Sequence, residues 1–196
     1  MQKQRNWFLV PLVIFTCCYF AVGYYNRFAS DDFEFLNKLR EYGYFGSVQW
    51  FHSHWNTRWS AIGLLNGVLL FTLNAGTLFY YHLVSIVLLW YAFYRIIQSV
   101  LAQDKLTGGI MAGYATTAFF YSCFSINDVF FWINTSTMYL YGCIALLFAI
   151  AELTTRKHTF FSYVRLSLFG LFIAGAYEPL VITAGVTCIF LLAIPL

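Results

Sequence analysis

Seven stretches of the 196-residue chain are almost wholly apolar, and short polar segments separate them. A transmembrane helix needs about 20 consecutive apolar residues, and most of the stretches approach that length. The pattern therefore predicts an all-α protein, a polytopic bundle of transmembrane helices. The stretches lie near residues 7–25, 59–73, 77–99, 108–126, 137–153, 160–177 and 179–196.

The second stretch, 59–73, is shorter than most, and its placement sets the direction of every later helix. Lys3 and Arg5 precede the first stretch and place the N-terminus in the cytosol by the positive-inside rule. If 59–73 crossed the membrane, Lys105 and the pair Arg156-Lys157 would both lie outside. If it stays at the outer surface, both lie in the cytosol, as the rule favours.

We therefore expect one membrane domain over residues 1–196, with an outer interfacial segment at 26–74. The first span follows a basic N-terminus and has no small-residue cleavage site after it, so it is expected to be a signal anchor. The six expected spans are 7–25, 77–99, 108–126, 137–153, 160–177 and 179–196.

The interfacial segment has an amphipathic pattern of its own. Apolar residues recur at helical spacing from Asp31 to Tyr42 and again from Val48 to Trp59, with Gly43 and Gly46 between them. The spacing predicts two helices that lie in the membrane interface, with their aromatic faces toward lipid. The two stripes are Phe35, Leu36, Leu39 and Tyr42, and Val48, Phe51, Trp55 and Trp59.

Composition supports the membrane class. The chain is 61% hydrophobic and only 10% charged, whereas soluble domains carry about 25% charged residues. The net charge of +3 is too small to indicate a nucleic-acid partner. The five cysteines fall in apolar runs without metal-ligand spacing, so neither a disulfide framework nor a zinc site is predicted.

A few ionisable residues fall on the outer side in this threading, and they are the candidate functional groups. Asp31 and Asp32 directly follow the first span, and Arg58 precedes the short stretch. Glu178 lies between two apolar helices, where a carboxylate costs roughly 2.5–3.5 kcal/mol on insertion scales. It needs a partner or water, and Arg58 is the obvious cation. Asp128 lies in a later outer loop.

Each of these residues also has an ordinary structural interpretation. Asp31 and Glu34 have the spacing of a helix capping box, and Asp128 fits a solvated loop. Arg58 beside Trp59 is typical of an interfacial anchor, and Glu178 before Pro179 is typical of a helix break that faces water. From spacing alone both interpretations stay open.

Four short motifs in chain order resemble the GT-C superfamily of polytopic membrane glycosyltransferases, and most closely its bacterial branches. An acid pair follows helix one, an Arg-Trp element precedes a short apolar helix, a Trp-containing outer loop comes later, and an acidic turn follows. The motifs are Ala29-Ser30-Asp31-Asp32-Phe33, Thr57-Arg58-Trp59, Phe131-Trp132-Ile133-Asn134-Thr135 with Tyr139 and Tyr141, and Gly175-Ala176-Tyr177-Glu178.

The resemblance implies a reaction and its partners. Such enzymes take a sugar from a polyprenyl-phosphate-linked donor and pass it to a glycan, lipid or protein acceptor outside the cytoplasmic membrane. It implies that Asp31 or Asp32 is catalytic and that Arg58 binds the phosphate. The sugar and acceptor pocket would be formed by Asp128, Trp132, Asn134, Tyr139 and Glu178. It leaves open a divalent metal ion, which some relatives require.

The chain also departs from that family. Thr57 stands where glycine is commoner, and relatives usually have eight or more spans, so we expect an N-terminal portion of a longer enzyme. Two other functions remain open at this stage: a transporter or lipid-handling protein with Glu178 and Asp128 along a path, and a non-catalytic membrane scaffold subunit.

Overall fold

The computed structural model describes residues 8–28, 31–55, 58–75, 78–101, 103–155 and 158–193. Seven positions discussed above lie outside these residues: Lys3, Arg5, Ala29, Ser30, Thr57, Arg156 and Lys157. The helices in the described part are α1 (Leu9–Tyr25), α2 (Asp31–His54), α3 (Trp59–Ala75), α4 (Phe79–Leu101), α5 (Lys105–Ser122), α6 (Ile133–Leu153), α7 (Phe160–Ala174) and α8 (Glu178–Ala193), with a π-helical turn at Asn127–Phe131.

The described residues form helices and no strands, so the predicted all-α class is confirmed. Two helices of the described part, α4 and α6, are long and apolar enough to cross a membrane. Four shorter helices, α1, α3, α7 and α8, are apolar as well. About half of the apolar window of α6 is buried inside the protein, so this helix is the centre of the bundle.

Local capping signals set several helix starts. Asp104 caps α5, because its side chain accepts hydrogen bonds from the backbone N–H groups of Leu106 and Thr107, both at 3.1 Å. Thr159 and Ser162 form a reciprocal capping box at the start of α7. The Asp104 cap explains why α5 begins three residues before the predicted apolar stretch.

Contacts between helices give the bundle two distinct ends. Tyr81 near the start of α4 bonds to Ser136 near the start of α6, and Arg95 near the end of α4 pairs with Glu152 at the end of α6. Helices α4 and α6 therefore run side by side in the same direction. We call the end where both begin the Asp32 end, and the end where both finish the Glu152 end.

Helix α3 begins and ends at the Asp32 end. Its second residue, Ser60, donates from its backbone N–H to the carbonyl of Gly175 and from Oγ to the carbonyl of Phe172, where α7 finishes. Its last residue, Ala75, precedes the start of α4 by only a short connection. An apolar helix thus lies across one end of the bundle.

Helix α2 is a hairpin of two helical halves. The break is Gly43, with φ of 71°, a backbone conformation that disfavours side chains with a Cβ. The halves fold together, so the rings of Phe35 and Phe51 stack at 4.1 Å between centroids. Buried Asn66 of α3 donates to the hydroxyl of Ser47 at 2.6 Å and fixes the second half.

The expected orientation of the α2 stripes is wrong for their central residues. Phe35 and Phe51 are fully buried, and Leu36 and Leu39 are buried too. Phe35, Leu39 and Phe51 pack with α3, the start of α6 and the end of α7 rather than facing lipid. Amphipathic spacing predicts that one face is apolar, but it does not distinguish a protein core from a membrane. At the edges of the stripes, Tyr42, Trp55 and Trp59 remain exposed.

A charge cluster closes the Glu152 end. The buried carboxylate of Glu152 accepts from Arg95 at 3.1 Å and from Arg165 at 2.9 and 3.0 Å. Two guanidinium groups compensate the buried negative charge, which would otherwise be costly. The cluster ties together α4, α6 and α7.

Candidate functional site

The first part of the site is Asp32, the second residue of α2. Its side chain is 1% exposed, and Oδ1 accepts a hydrogen bond of 3.0 Å from the backbone N–H of Asn134. Asn134 lies in the first turn of α6, where the unpaired N–H groups of a helix give a partial positive charge. The acid pair follows the first apolar stretch in the sequence, and in the fold Asp32 of this pair contacts the start of the central helix α6.

Asp31, the other member of the pair, is half-exposed. It lies in the first turn of α2 together with Glu34, where carboxylates favour the positive end of the helix dipole. The two acids therefore have different environments. Burial beside the start of α6 distinguishes Asp32 as the candidate for chemistry.

Buried polar atoms without a hydrogen-bond partner occur at the start of α6, the segment whose backbone contacts Asp32. Three of those found among the described residues come from four consecutive positions: Trp132 Nε1, Asn134 Oδ1 and Thr135 Oγ1. Leaving a buried polar group unpaired costs about 1–3 kcal/mol, so native proteins keep few of them. The start of α6 thus offers an indole N–H, an amide oxygen and a hydroxyl that could bond to a ligand.

The second part of the site is the ion pair between Arg58 and Glu178. Both Nε and Nη2 of Arg58 donate to one carboxylate oxygen of Glu178, at 3.3 and 3.2 Å. The guanidinium also lies 5.1 Å from the centre of the Tyr177 ring, which is within reach of a cation–π contact. The sequence analysis expected this pairing, and the ion pair is present.

Two hydrogen-bond donors stabilise the ionised form of Glu178. Its own backbone N–H is the larger influence, and Arg58 adds to it, so the pKa of Glu178 is lower than that of an ordinary glutamate. The side chain is 57% exposed and in reach of solvent. This carboxylate is therefore suited to exchange partners.

The turn before Glu178 packs tightly on the start of α3. A Cβ added to Gly175 would lie 2.5 Å from the Trp59 ring and 2.9 Å from Ser60 Oγ. Only glycine fits this contact without displacing its neighbours. The Arg58-Trp59 motif and the Gly175–Glu178 motif are thereby joined into one unit, although more than 100 residues separate them.

Helix α6 connects the two parts of the site. Asn134 N–H meets Asp32, and four residues later the sulfur of Met138 accepts a hydrogen bond from Arg58 Nη1 at 3.5 Å. Four residues span about 6 Å along a helix. The carboxylate of Asp32 and the guanidinium of Arg58 thus contact consecutive turns of one helix, at the same end of the bundle.

The remaining predicted site residues lie at different distances from this centre. The ring of Tyr139 meets that of Tyr177 edge-on at 4.6 Å, beside the Arg58–Glu178 pair. Asp128 lies in the π-helical turn that precedes α6 and accepts from Asn127 at 3.4 Å.

Sequence reasoning missed a polar contact at the same end. Asn26, just after α1, donates from Nδ2 to the carbonyl of Phe131 at 2.6 Å, and the same nitrogen lies 2.9 Å from Nε2 of buried His82. Gly23 makes room, since a Cβ there would come 3.2 Å from His82. The sequence offered one signal for this contact: Asn26 follows the first apolar stretch, and His82 lies near the start of the stretch that forms α4.

Comparisons with known proteins add no identity: no family model, no curated protein and no solved structure matches this chain. Within the described residues, no three His, Cys, Asp or Glu side chains group as metal ligands. The site is therefore defined by its own geometry: a buried carboxylate, a cation with an exchangeable partner and unused hydrogen-bonding groups.

Substituting Gly175 is expected to disturb this geometry. The new methyl group in Gly175→Ala overlaps Trp59 and Ser60. Overpacking of this kind lowers the free energy of unfolding by about 1–3 kcal/mol. We expect a lower midpoint of thermal unfolding for purified protein in detergent. Gly170→Ala is the matched control, since no atom lies within 4 Å of its added Cβ; equal stability of the two variants contradicts the prediction.

Proposed function

We propose that this chain is a GT-C-type membrane glycosyltransferase, or the N-terminal module of one, that uses a polyprenyl-phosphate-linked sugar. The observation that carries the proposal is the position of buried Asp32 at the start of α6, one turn from Met138 and the Arg58–Glu178 pair. Transfer of a sugar from a lipid phosphate needs a base for the acceptor and a cation for the leaving group. Both groups lie at one end of the bundle.

In the proposed reaction, an acceptor hydroxyl oxygen attacks the anomeric carbon of the donor sugar. The new bond joins that carbon to the acceptor oxygen, and the bond between the carbon and the phosphate oxygen breaks. The acceptor proton passes to the carboxylate of Asp32. The electron pair of the broken bond leaves with the polyprenyl phosphate, whose charge Arg58 stabilises.

Arg58 needs to change partners in this scheme. In the structure its charge is matched by Glu178, and a phosphate would compete for the same donors. The planar guanidinium suits either a carboxylate or a phosphate. Glu178 therefore holds Arg58 in place before the donor arrives and faces solvent when the donor binds.

The neighbouring groups have supporting roles in the proposal. Trp132, Asn134 and Thr135 offer unused polar atoms next to Asp32, which suit the hydroxyl groups of a sugar. Tyr139, edge-on to Tyr177, provides an aromatic wall for a sugar ring. We assign Asp128, in the π-helical turn before α6, to binding the acceptor.

The experiment that tests this function is a donor-turnover assay. The purified chain in nanodiscs is mixed with synthetic polyprenyl-phosphate sugars and a panel of glycan, lipid and peptide acceptors, and release of polyprenyl phosphate is measured. Turnover with at least one donor supports the proposal. Intact donor in every combination, with protein that stays folded, supports a scaffold instead.

The membrane placement belongs to the same proposal. Helices α1, α4, α5, α6, α7 and α8 span the bilayer, α2 and α3 lie at the outer surface, and the Glu152 end faces the cytosol. Supporting it are the return of α3 to the Asp32 end and the two arginines at the Glu152 end, since basic residues favour the cytosolic side.

Cysteine labelling tests this placement. Phe45 is 82% exposed in α2, and His158 is exposed between α6 and α7. We expect a membrane-impermeant maleimide to modify Phe45→Cys in intact cells and His158→Cys only after permeabilisation. The parent chain measures the background from its own cysteines, and modification of both positions from outside contradicts the placement.

A further inference from the structure

An apolar cavity lies between α1, α4 and α5, apart from the site described above. Its volume is about 560 Å³, within the range of ligand-binding cavities. Most of its lining residues are aliphatic or aromatic, such as Leu12, Phe15, Phe20, Ile86 and Ile110. An apolar ligand, or the apolar part of one, fits this lining.

The polar donors in the lining are already hydrogen-bonded within the protein. Thr16 Oγ1 donates to the carbonyl of Leu12 at 2.7 Å, and Thr116 Oγ1 donates to the carbonyl of Ala112 at 2.8 Å. The indole N–H of Trp90 donates to the carbonyl of Gly109. Because these donors are satisfied within the protein, the cavity favours hydrocarbon over a sugar or a phosphate along its length.

One end of the cavity has a positive charge. Lys105, the first residue of α5, is exposed and contributes to the lining, and within the described chain it takes part in no ion pair. The nearby acid Asp104 is engaged as the cap of α5. At the same Glu152 end, the carboxylate of Glu152 is held by two arginines. Three cations at this end, Lys105, Arg95 and Arg165, stand against two acids, Asp104 and Glu152, so an anionic group at Lys105 meets a net positive field.

We propose that this cavity binds an anionic phospholipid, with an acyl chain between α1, α4 and α5 and the headgroup phosphate at Lys105. An apolar chamber with a cation at its mouth matches the two parts of such a lipid. The inference rests on the membrane location proposed above and is independent of the transferase reaction. The cavity mouth at Lys105 is at the opposite end of the bundle from Asp32, so this lipid is distinct from the sugar donor.

Native mass spectrometry tests the proposal. The purified full chain is incubated in detergent with equimolar phosphatidylglycerol and phosphatidylcholine of identical acyl chains, and the retained lipid is counted. We expect preferential retention of one phosphatidylglycerol. Lys105→Gln is expected to lower that preference about fivefold, the effect of one lysine near an anionic lipid surface, with no change for phosphatidylcholine.

Filling the cavity is expected to release both lipids. Ile110→Trp places a large side chain in the lining, and Met111→Trp on the exposed flank of the same helix is its matched control. If Ile110→Trp unfolds, Leu106→Trp replaces it, because Leu106 lines the same cavity and is exposed at its edge.

Three results would overturn the proposal: equal retention of the two lipids by the parent chain, a preference unchanged by Lys105→Gln, or retention unchanged by folded cavity-filling variants. Dimers that exclude lipid would instead identify a second copy as the occupant and would also overturn it. None of these results depends on donor turnover, so failure here and failure of the transferase proposal are distinguishable.

Discussion

Replacing Asp32 with asparagine is expected to lower sugar transfer by about 10²–10⁴-fold, the usual contribution of a general base. The amide keeps the size of the side chain and an oxygen for the Asn134 N–H, so the fold is expected to survive. What disappears is the ability to take a proton from the acceptor. The measurement is the initial rate of polyprenyl phosphate release at saturating donor, alongside thermal unfolding.

Two further variants make this prediction specific. Asp31→Asn is expected to have a smaller effect, because Asp31 is half-exposed and lies in the first turn of α2. Glu41→Gln is the matched control, since Glu41 is an exposed acid of the same hairpin that pairs with Lys38. Full activity in Asp32→Asn, or an equal loss in Glu41→Gln, contradicts the assignment of the base.

Exchanging the charges of Arg58 and Glu178 is expected to separate structure from chemistry. Arg58→Glu alone and Glu178→Arg alone each place like charges where the ion pair was. Because the pair is partly exposed, each is expected to cost only about 0.2–1 kcal/mol of unfolding free energy. The double variant restores opposite charges and recovers most of that loss.

Activity is expected to behave differently from stability in the exchanged pair. The double variant has its cation at position 178 rather than 58, so the phosphate loses its intended donor. Loss of one such donor typically lowers the rate by about 10²–10³-fold, and we expect this loss in Arg58→Glu and in the double variant alike. Recovery of transfer together with stability would show that the pair only holds the fold.

The sequence predicts most helices of this chain, because long apolar runs separated by short polar segments mark where each helix lies. It also predicts the pairing of Arg58 with Glu178, since a carboxylate between two apolar helices requires compensation. The spacing of motifs along the chain does not reveal how closely they pack. The contact between Gly175 and Trp59 follows from tertiary packing, which only coordinates describe.

Three other features were beyond sequence reasoning for physical reasons. The apolar faces of α2 bury Phe35 and Phe51 in a core, because a helical hairpin folded at Gly43 can satisfy its own apolar stripes. The π-helical turn at Asn127–Phe131 inserts irregular backbone before α6, and no local residue pattern announced it. The side-chain polar atoms of Trp132 and Asn134 are buried without a hydrogen-bond partner, which depends on the folded neighbours of each atom and not on the local sequence.

We propose that Asp32 and Arg58 serve one reaction at one end of the bundle. The most direct test is an electron cryomicroscopy structure of the chain in nanodiscs with a non-transferable polyprenyl-phosphonate sugar. We predict the phosphonate on Arg58, the anomeric carbon beside the Asp32 carboxylate and Glu178 released from its ion pair. Donor density at the Glu152 end, beside Arg95 and Arg165, would contradict the account.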